Sequence, residues 1–247
     1  MATPRIAVVS AMREELHALH DDLLDLRIER VAGRDFHLGT LHGRPALLVL
    51  AGIGKVAAAT TSALLLDRFE VEALLFTGVA GGLGPGVAVG DVVIGDELLQ
   101  HDMDASPIFP RWEVPLTGRA RFAADPALSD ALAEAAREAL REPPPGLAAL
   151  GIAAPALHEG LVVSGDRFVS RAAESDALRA LLPDALAVEM EGAAVAQVCA
   201  DFGRPFALLR AISDRADDAA HVDFGRFVAD VAACYAHRVV LAALPRF

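Results

Sequence analysis

The segment VEMEGAAVA (188–196) places two carboxylates, Glu189 and Glu191, one residue apart in a run otherwise suited to burial. A buried charge without a partner costs several kcal/mol, so such acids need a pairing group or a ligand. Polar residues stop other apolar runs in the same way. SAMREE carries Glu14 and Glu15, SGDRF carries Asp166 and Phe168, RAISDRAD carries Arg210, Ser213 and Asp214, and TGVAGG opens the glycine-rich stretch 78–86. Ligands of open α/β sheets bind beyond the carboxyl ends of strands, so this is a candidate active-site inventory, with carboxylates suited to moving protons. Any single acid here reads equally well as a helix N-terminal charge, worth about 0.3–1 kcal/mol. Arg210 and Asp214 are harder to dismiss, because they lie four residues apart in an otherwise apolar strand. A structural ion pair or a polar ligand must satisfy each.

The elements that position these residues follow from alternation of short β-rich runs with Ala/Leu-rich stretches of helical length, which predicts an α/β fold. Strands are expected at 5–11, 45–52, 73–80, 90–99, 160–166, 185–191 and 206–214, several of them apolar on both faces. Helices are expected at 13–25, 55–69, 126–141, 171–181, 191–202 and 223–243, the third started by Asp125-Pro126. With 247 residues, 54% hydrophobic, the chain reads as a single domain, 1–247, and EPPPG (142–146) reads as a surface loop.

Charge and composition exclude several classes. A net charge of −12 without a concentrated basic patch argues against nucleic acid or an anionic membrane as partner. The apolar run near the start is too short for a signal or spanning segment. Cys199 and Cys234, lacking CxxC spacing, predict neither a disulfide nor a zinc site, and a reducing cytoplasm is the expected setting. AGIGKVAAA (51–59) lacks the first glycine of a phosphate loop and has Val56 where Ser or Thr follows the lysine; AGGLGPG (80–86) runs into a turn instead of opening a helix. HDMD (101–104) offers His101, Asp102 and Asp104, but period-two placement on a strand opposes His101 to the acids, so a loop near the substrate mouth is expected instead of a metal. Ser164 and Ser213 lack a GxSxG context and a spaced histidine, which argues against covalent catalysis.

Taken in order, AMREE, AGIGKVAAA, TGVAGGL, VGDVVIGDE, the HD.D pattern, VVSGDRF, VEMEGAAVA and PFALLRAISD resemble the 5′-methylthioadenosine/S-adenosylhomocysteine nucleosidases of the purine nucleoside phosphorylase superfamily, from about residue 5 to 240. The resemblance implies a three-layer α/β/α fold around a mixed central sheet. It also implies a homodimer, no metal or organic cofactor, and hydrolysis of the N-glycosidic bond of an adenine nucleoside. Carried onto this chain, it makes Asp214 the acid that protonates purine N7, with Ser213 orienting it, and Glu15 the base that activates water, with Arg210 supporting both water and base. Glu191 would take the ribose hydroxyls, Met190 would pack on the sugar, Phe168 would stack on adenine and the Val169 backbone would read its edge. Ala11, Met12, Ile53, Val79, Ala80 and Gly81 complete the implied substrate-binding set. Glu189 keeps the reading of a strand-end acid with an undetermined partner.

Two departures stand out. Val79 replaces the Ser or Thr usual in TGVAGG, which removes a hydroxyl that phosphorolytic relatives use for phosphate and so favours water as nucleophile. The 100–116 segment is longer and more aromatic than the pattern, and its Phe109 and Trp112 read either as shaping the pocket for the 5′ substituent or as core or interface residues. A purine nucleoside phosphorylase, a hydrolase of another purine nucleoside such as futalosine, and a non-catalytic nucleoside-binding protein are the competing readings.

Overall fold

The computed structural model describes residues 6–152, 154–217 and 227–246. In chain order the elements are β1 (Ile6–Ser10), α1 (Arg13–Asp21), β2 (Leu24–Val31), β3 (Arg34–Leu41), β4 (Arg44–Leu50), α2 (Lys55–Asp67), β5 (Ala73–Gly82), β6 (Val92–Gln100), β7 (Arg121–Ala123), α3 (Pro126–Ala139), α4 (Pro145–Ala149), β8 (Leu157–Ser164), α5 (Ala172–Leu181), β9 (Ala185–Glu189), α6 (Gly192–Phe202), β10 (Phe206–Asp214) and α7 (Ala233–Ala243). A π-helical turn, Val228–Ala232, leads into α7. The helix expected at 223–243 is thus seen from its described part, with its first residues outside the described set.

The fold is α/β with a mixed central sheet. Strand order is β10-β6-β8-β9-β5-β1-β4-β3-β2, with β7 on β6 and a further pairing of β10 with β5. That extra pairing closes β5, β10, β6, β8 and β9 into a ring, from which β1, β4, β3 and β2 extend. β5 is the hub: it runs parallel to β1 on one side and to β10 on the other, and its last two residues pair antiparallel with β9. Alternation in the central strands serves two layers of helices. In β1, Ile6 and Val8 enter one core, shared with residues of α1, α3 and α7, whereas Ala7 and Val9 enter the other, shared with α2 and α6.

The first half departs from expectation. Helix α1 ends at Asp21, and residues expected as its last turn already begin the β2–β3 hairpin, which the sequence reading missed. Two-residue turns join β2 to β3 through Ala32 and Gly33 (φ 48° and 76°) and β3 to β4 through His42 and Gly43 (φ 48° and 78°). Paired positive φ is what the twist of such hairpins demands, and X-Gly was the available signal. Strand β2 is an edge strand that exposes Leu24 and Ile28, so it lacks the buried alternation that marks inner strands. EPPPG is not simply a loop either, since Pro145 starts the short α4. Asp125 does cap α3, its carboxylate accepting Leu128 N–H at 3.0 Å.

Candidate active site

A cavity of about 550 Å³ opens where β1, β5, β9 and β10 end. All fourteen residues that the resemblance assigns to the site line it, together with Gly78, Arg167, Val188 and Glu189. Ala11, Met12 and Glu15 enter from the β1–α1 junction; Val79, Ala80 and Gly81 come from β5; Arg210, Ser213 and Asp214 come from β10. Ile53, Phe168, Val169, Met190 and Glu191 arrive on the turns after β4, β8 and β9.

Glu15 is 1% exposed and sits at the third position of α1, where its carboxylate reaches back to the Met12 N–H at 3.1 Å. Its other oxygen accepts the Val79 N–H of β5 at 3.1 Å, and the Ser10 hydroxyl donates to the same carboxylate. Pairing of β1 with β5 stops at Val9–Phe76, so the carboxylate takes a β5 donor just beyond the end of the β1 ladder. Burial pushes the Glu15 pKa up, and the hydrogen bonds and the Arg210 charge only partly offset it.

Asp214 approaches β5 from its other flank. A bulge between Ile212 and Asp214 ends β10, and Asp214 comes to lie beside Gly81. A Cβ on Gly81 would lie 2.9 Å from Asp214 Oδ1, so glycine leaves that carboxylate its space. Ser213 Oγ donates to one oxygen at 2.8 Å and Ala216 N–H to the other at 2.7 Å. Burial, helped by the nearby Asp217, raises the Asp214 pKa despite these bonds.

Between them stands a buried ion pair. Arg210 Nη2 donates to Glu189 Oε2 at 2.6 Å, with both side chains 2% exposed or less. Arg210 also lies over the Phe76 ring, 4.3 Å from its centroid. Glu189 further accepts the Ser164 hydroxyl, the Glu191 N–H at 3.1 Å and the Gly192 N–H at 2.8 Å. The partner left open for Arg210 is therefore Glu189, and the strand-end acid is the most heavily bonded carboxylate of the site. Glu189 stood in the strand-end inventory without a partner, because its approach to β10 depends on sheet closure, whereas Glu14 and Asp166 from that inventory do not line the cavity. Gly78, from the glycine-rich stretch, lines it as well: a Cβ there would sit 3.1 Å from Arg210 Nη1 and 3.2 Å from Glu15 Oε1.

Glu191 precedes α6 and its side chain turns away from the helix, its Oε1 accepting the Gly54 N–H at 2.8 Å. Burial and then the Glu189 charge raise its pKa to about 7. Val169 is buried, whereas Phe168 (48%) and Ile53 (63%) remain exposed at the mouth. Strand β6 ends at Gln100, so His101 and Asp102 fall in a turn and the period-two argument does not apply to them. Asp102 pairs with Lys55, and Asp104 accepts from Ser106. Trp112 packs against a buried cluster and donates to the His101 carbonyl at 3.1 Å. Neither it nor Phe109 lines this chain's cavity among the described residues.

The profile of the phosphorylase superfamily matches residues 5–245. The 5′-methylthioadenosine/S-adenosylhomocysteine nucleosidase of Geobacillus thermodenitrificans is 38% identical over 241 residues, covering 97% of this chain and 96% of that protein. The Neisseria meningitidis nucleosidase of the same name, solved with methylthio-immucillin-A, superposes with a TM-score of 0.87 at 36% identity, covering 98% of this chain and 99% of that one. Futalosine hydrolase of Helicobacter pylori gives 0.86 at 31% identity, covering 99% of both chains. The chain belongs to the phosphorylase superfamily and, within it, to the family of the 5′-methylthioadenosine/S-adenosylhomocysteine nucleosidases. It is an enzyme of the N-glycosyl hydrolase class.

Two predictions follow from the charges. Replacing Arg210 by Met leaves Glu189 buried without its cation and should cost about 3–5 kcal/mol in urea unfolding, more than most core substitutions. Glu191 binds a proton in the folded state that the unfolded chain releases near the ordinary carboxyl value of 4.5, so its contribution to stability is lost as pH rises from about 4.5 to about 7. Glu191→Gln keeps an acceptor for Gly54 and should make the ligand-free protein more stable at pH 8 by about 1–3 kcal/mol, with no gain at pH 4.

Proposed function

We propose that the enzyme hydrolyses the N-glycosidic bond of 5′-thio-substituted adenine nucleosides, 5′-methylthioadenosine and S-adenosylhomocysteine, with 5′-deoxyadenosine in the same substrate class. The observation that carries this is the placement of Glu15 and Asp214 on the two flanks of β5, facing one cavity. The points of β5 that they touch, Val79 and Gly81, are two residues apart, roughly 7 Å of strand rise. An acid and a base that face one cavity from opposite flanks of a strand repeat the arrangement of inverting glycosidases.

In this mechanism Asp214, whose pKa burial raises, gives its proton to purine N7 as the C1′–N9 bond breaks, so that adenine leaves neutral. Glu15 accepts the proton of the water that attacks C1′ from the opposite side, and Arg210, close to Glu15 across Gly78, stabilises the carboxylate as it forms its bond to water. Ser213 orients the acid. Glu191 accepts from the ribose 2′ and 3′ hydroxyls, contacts that strengthen as the ring gains positive charge. Met190 packs on the sugar, Phe168 stacks on the base and the Val169 backbone reads its edge. The reaction needs no cofactor. Val79 gives its N–H to Glu15 and packs its side chain on the core, so position 79 offers no hydroxyl to a phosphate. The reading includes a cytoplasmic homodimer, supported by exposed apolar surface at Ile53, Phe168 and Ile108 around the mouth and the 100–116 segment. Similarity to futalosine hydrolase keeps a second purine nucleoside in view.

Asp214→Asn should lower turnover of 5′-methylthioadenosine by roughly 10²–10⁴ while nucleoside binding persists; near-normal adenine release would sink the assignment. Adenine release by the native enzyme should not depend on added phosphate, and a phosphate-dependent ribose 1-phosphate product would overturn the choice of water. A panel containing futalosine, inosine and 5′-deoxyadenosine, scored by free base, ranks the substrates.

A further inference from the structure

The AGIGKVAAA and HDMD motifs hold neither a phosphate loop nor a role in the mechanism above, yet their charged residues form one closed set of bonds. One oxygen of Asp102 receives Lys55 Nζ at 2.5 Å and the other receives the Asp166 N–H at 2.9 Å. The Asp166 carboxylate in turn accepts the Lys55 N–H at 2.8 Å. Lys55 Nζ also donates to Gln100 at 3.1 Å, and Gln100 donates to Gln197 on α6 at 2.7 Å. With the Lys55 side chain only 15% exposed, the ion pair is partly shielded from water and salt. Burial alone would push the Asp102 carboxyl up, but its bonds to Lys55 and Asp166 hold it below the usual range.

The ring bears on the site through Gly54. This residue has φ +95°, and a Cβ on it would stand 3.1 Å from Asp166 Oδ1. Its N–H goes to Glu191 and the next N–H, that of Lys55, goes to Asp166. Among the described residues the Gly54 N–H is the hydrogen-bond donor that reaches the Glu191 carboxylate. A shift of the 52–55 turn therefore moves the one bond that orients it.

We propose that Asp102 is a positioning residue which, through Lys55 and Asp166, holds the 52–55 turn so that Gly54 N–H aims the Glu191 carboxylate at the ribose hydroxyls. This rests on the assignment of Glu191 to those hydroxyls. The experiment compares kcat/KM for 5′-methylthioadenosine and its 2′-deoxy counterpart in Asp102→Ala and Lys55→Met, with Glu191→Gln as reference and thermal unfolding of each variant.

Both variants should lower kcat/KM for the ribonucleoside about tenfold and for the 2′-deoxy substrate, which keeps only the 3′ contact, by roughly threefold, so that ribo selectivity narrows as it does in Glu191→Gln. The double variant should be no worse than either single one, because both break the same link. Equal losses on the two substrates, or unchanged selectivity with only a lower melting temperature, would overturn the role of Asp102 while Glu191→Gln still narrows selectivity. If Glu191→Gln itself leaves selectivity intact, the ribose assignment fails and the positioning role falls with it. Lys55→Met, which breaks the same ion pair from a helix start, carries the test should Asp102→Ala not fold.

Discussion

The buried pair between Arg210 and Glu189 is the interaction on which the site depends. It joins the middle of β10 to the end of β9, and Glu189 extends it to β8 through the Ser164 hydroxyl and to the first turn of α6 through the N–H groups of Glu191 and Gly192. Two charges taken out of water repay their desolvation only with good geometry and further hydrogen bonds, and here one carboxylate gathers donors from β8 and the start of α6 besides the arginine. The packing around it is correspondingly tight. A Cβ on Gly192 would come 2.4 Å from Leu208 Cδ1 and 3.3 Å from the Glu189 oxygens. Glycine is thus required at the start of α6 by close approach and not by its dihedral freedom.

Burial, modulated by that pair, shifts the ionisation of the neighbouring acids. Four buried acids, Glu15, Glu189, Glu191 and Asp214, share a cavity with a single buried arginine. Arg210 neutralises Glu189 directly and draws Glu15 back toward ionisation, but burial still wins at Glu15. Glu191, beside the Glu189 carboxylate, is raised to about 7, and Asp214 is raised by burial and by Asp217. On the proposed mechanism this is a useful distribution: the acid raised without help from the cation is the one that gives a proton, and Glu15, which the cation draws toward ionisation, is the one asked to accept one.

The strand-end reading located the cavity residues because a parallel strand buried on both faces must change from apolar to polar where it leaves the core. AMREE, TGVAGG, VEMEG and RAISD each mark such a point, and all four converge at one cavity. The β2–β3 hairpin escaped notice for the opposite reason. Its outer strand is an edge, with Leu24 and Ile28 in solvent, and its turns are set by Ala32-Gly33 and His42-Gly43, short signals beside a strongly helical preceding segment.

The chain's local chemistry determined which segments would be strands, that each would end in a polar cluster, and that Arg210 and Asp214 could not be buried unpaired. Only the tertiary structure decided who pairs with whom. Closure of the ring through β10 and β5 brings Glu189 within hydrogen-bond distance of Arg210 and leaves Asp214 to Ser213 and Ala216. The end of β9 at Glu189 lets Glu191 diverge from it, so two acids that would share one face of a strand take different partners, Arg210 for one and the Gly54 N–H for the other. Sequence spacing sets the face on which a side chain projects, but the charge it meets there comes from strands distant in the chain, and that distance is bridged by the sheet.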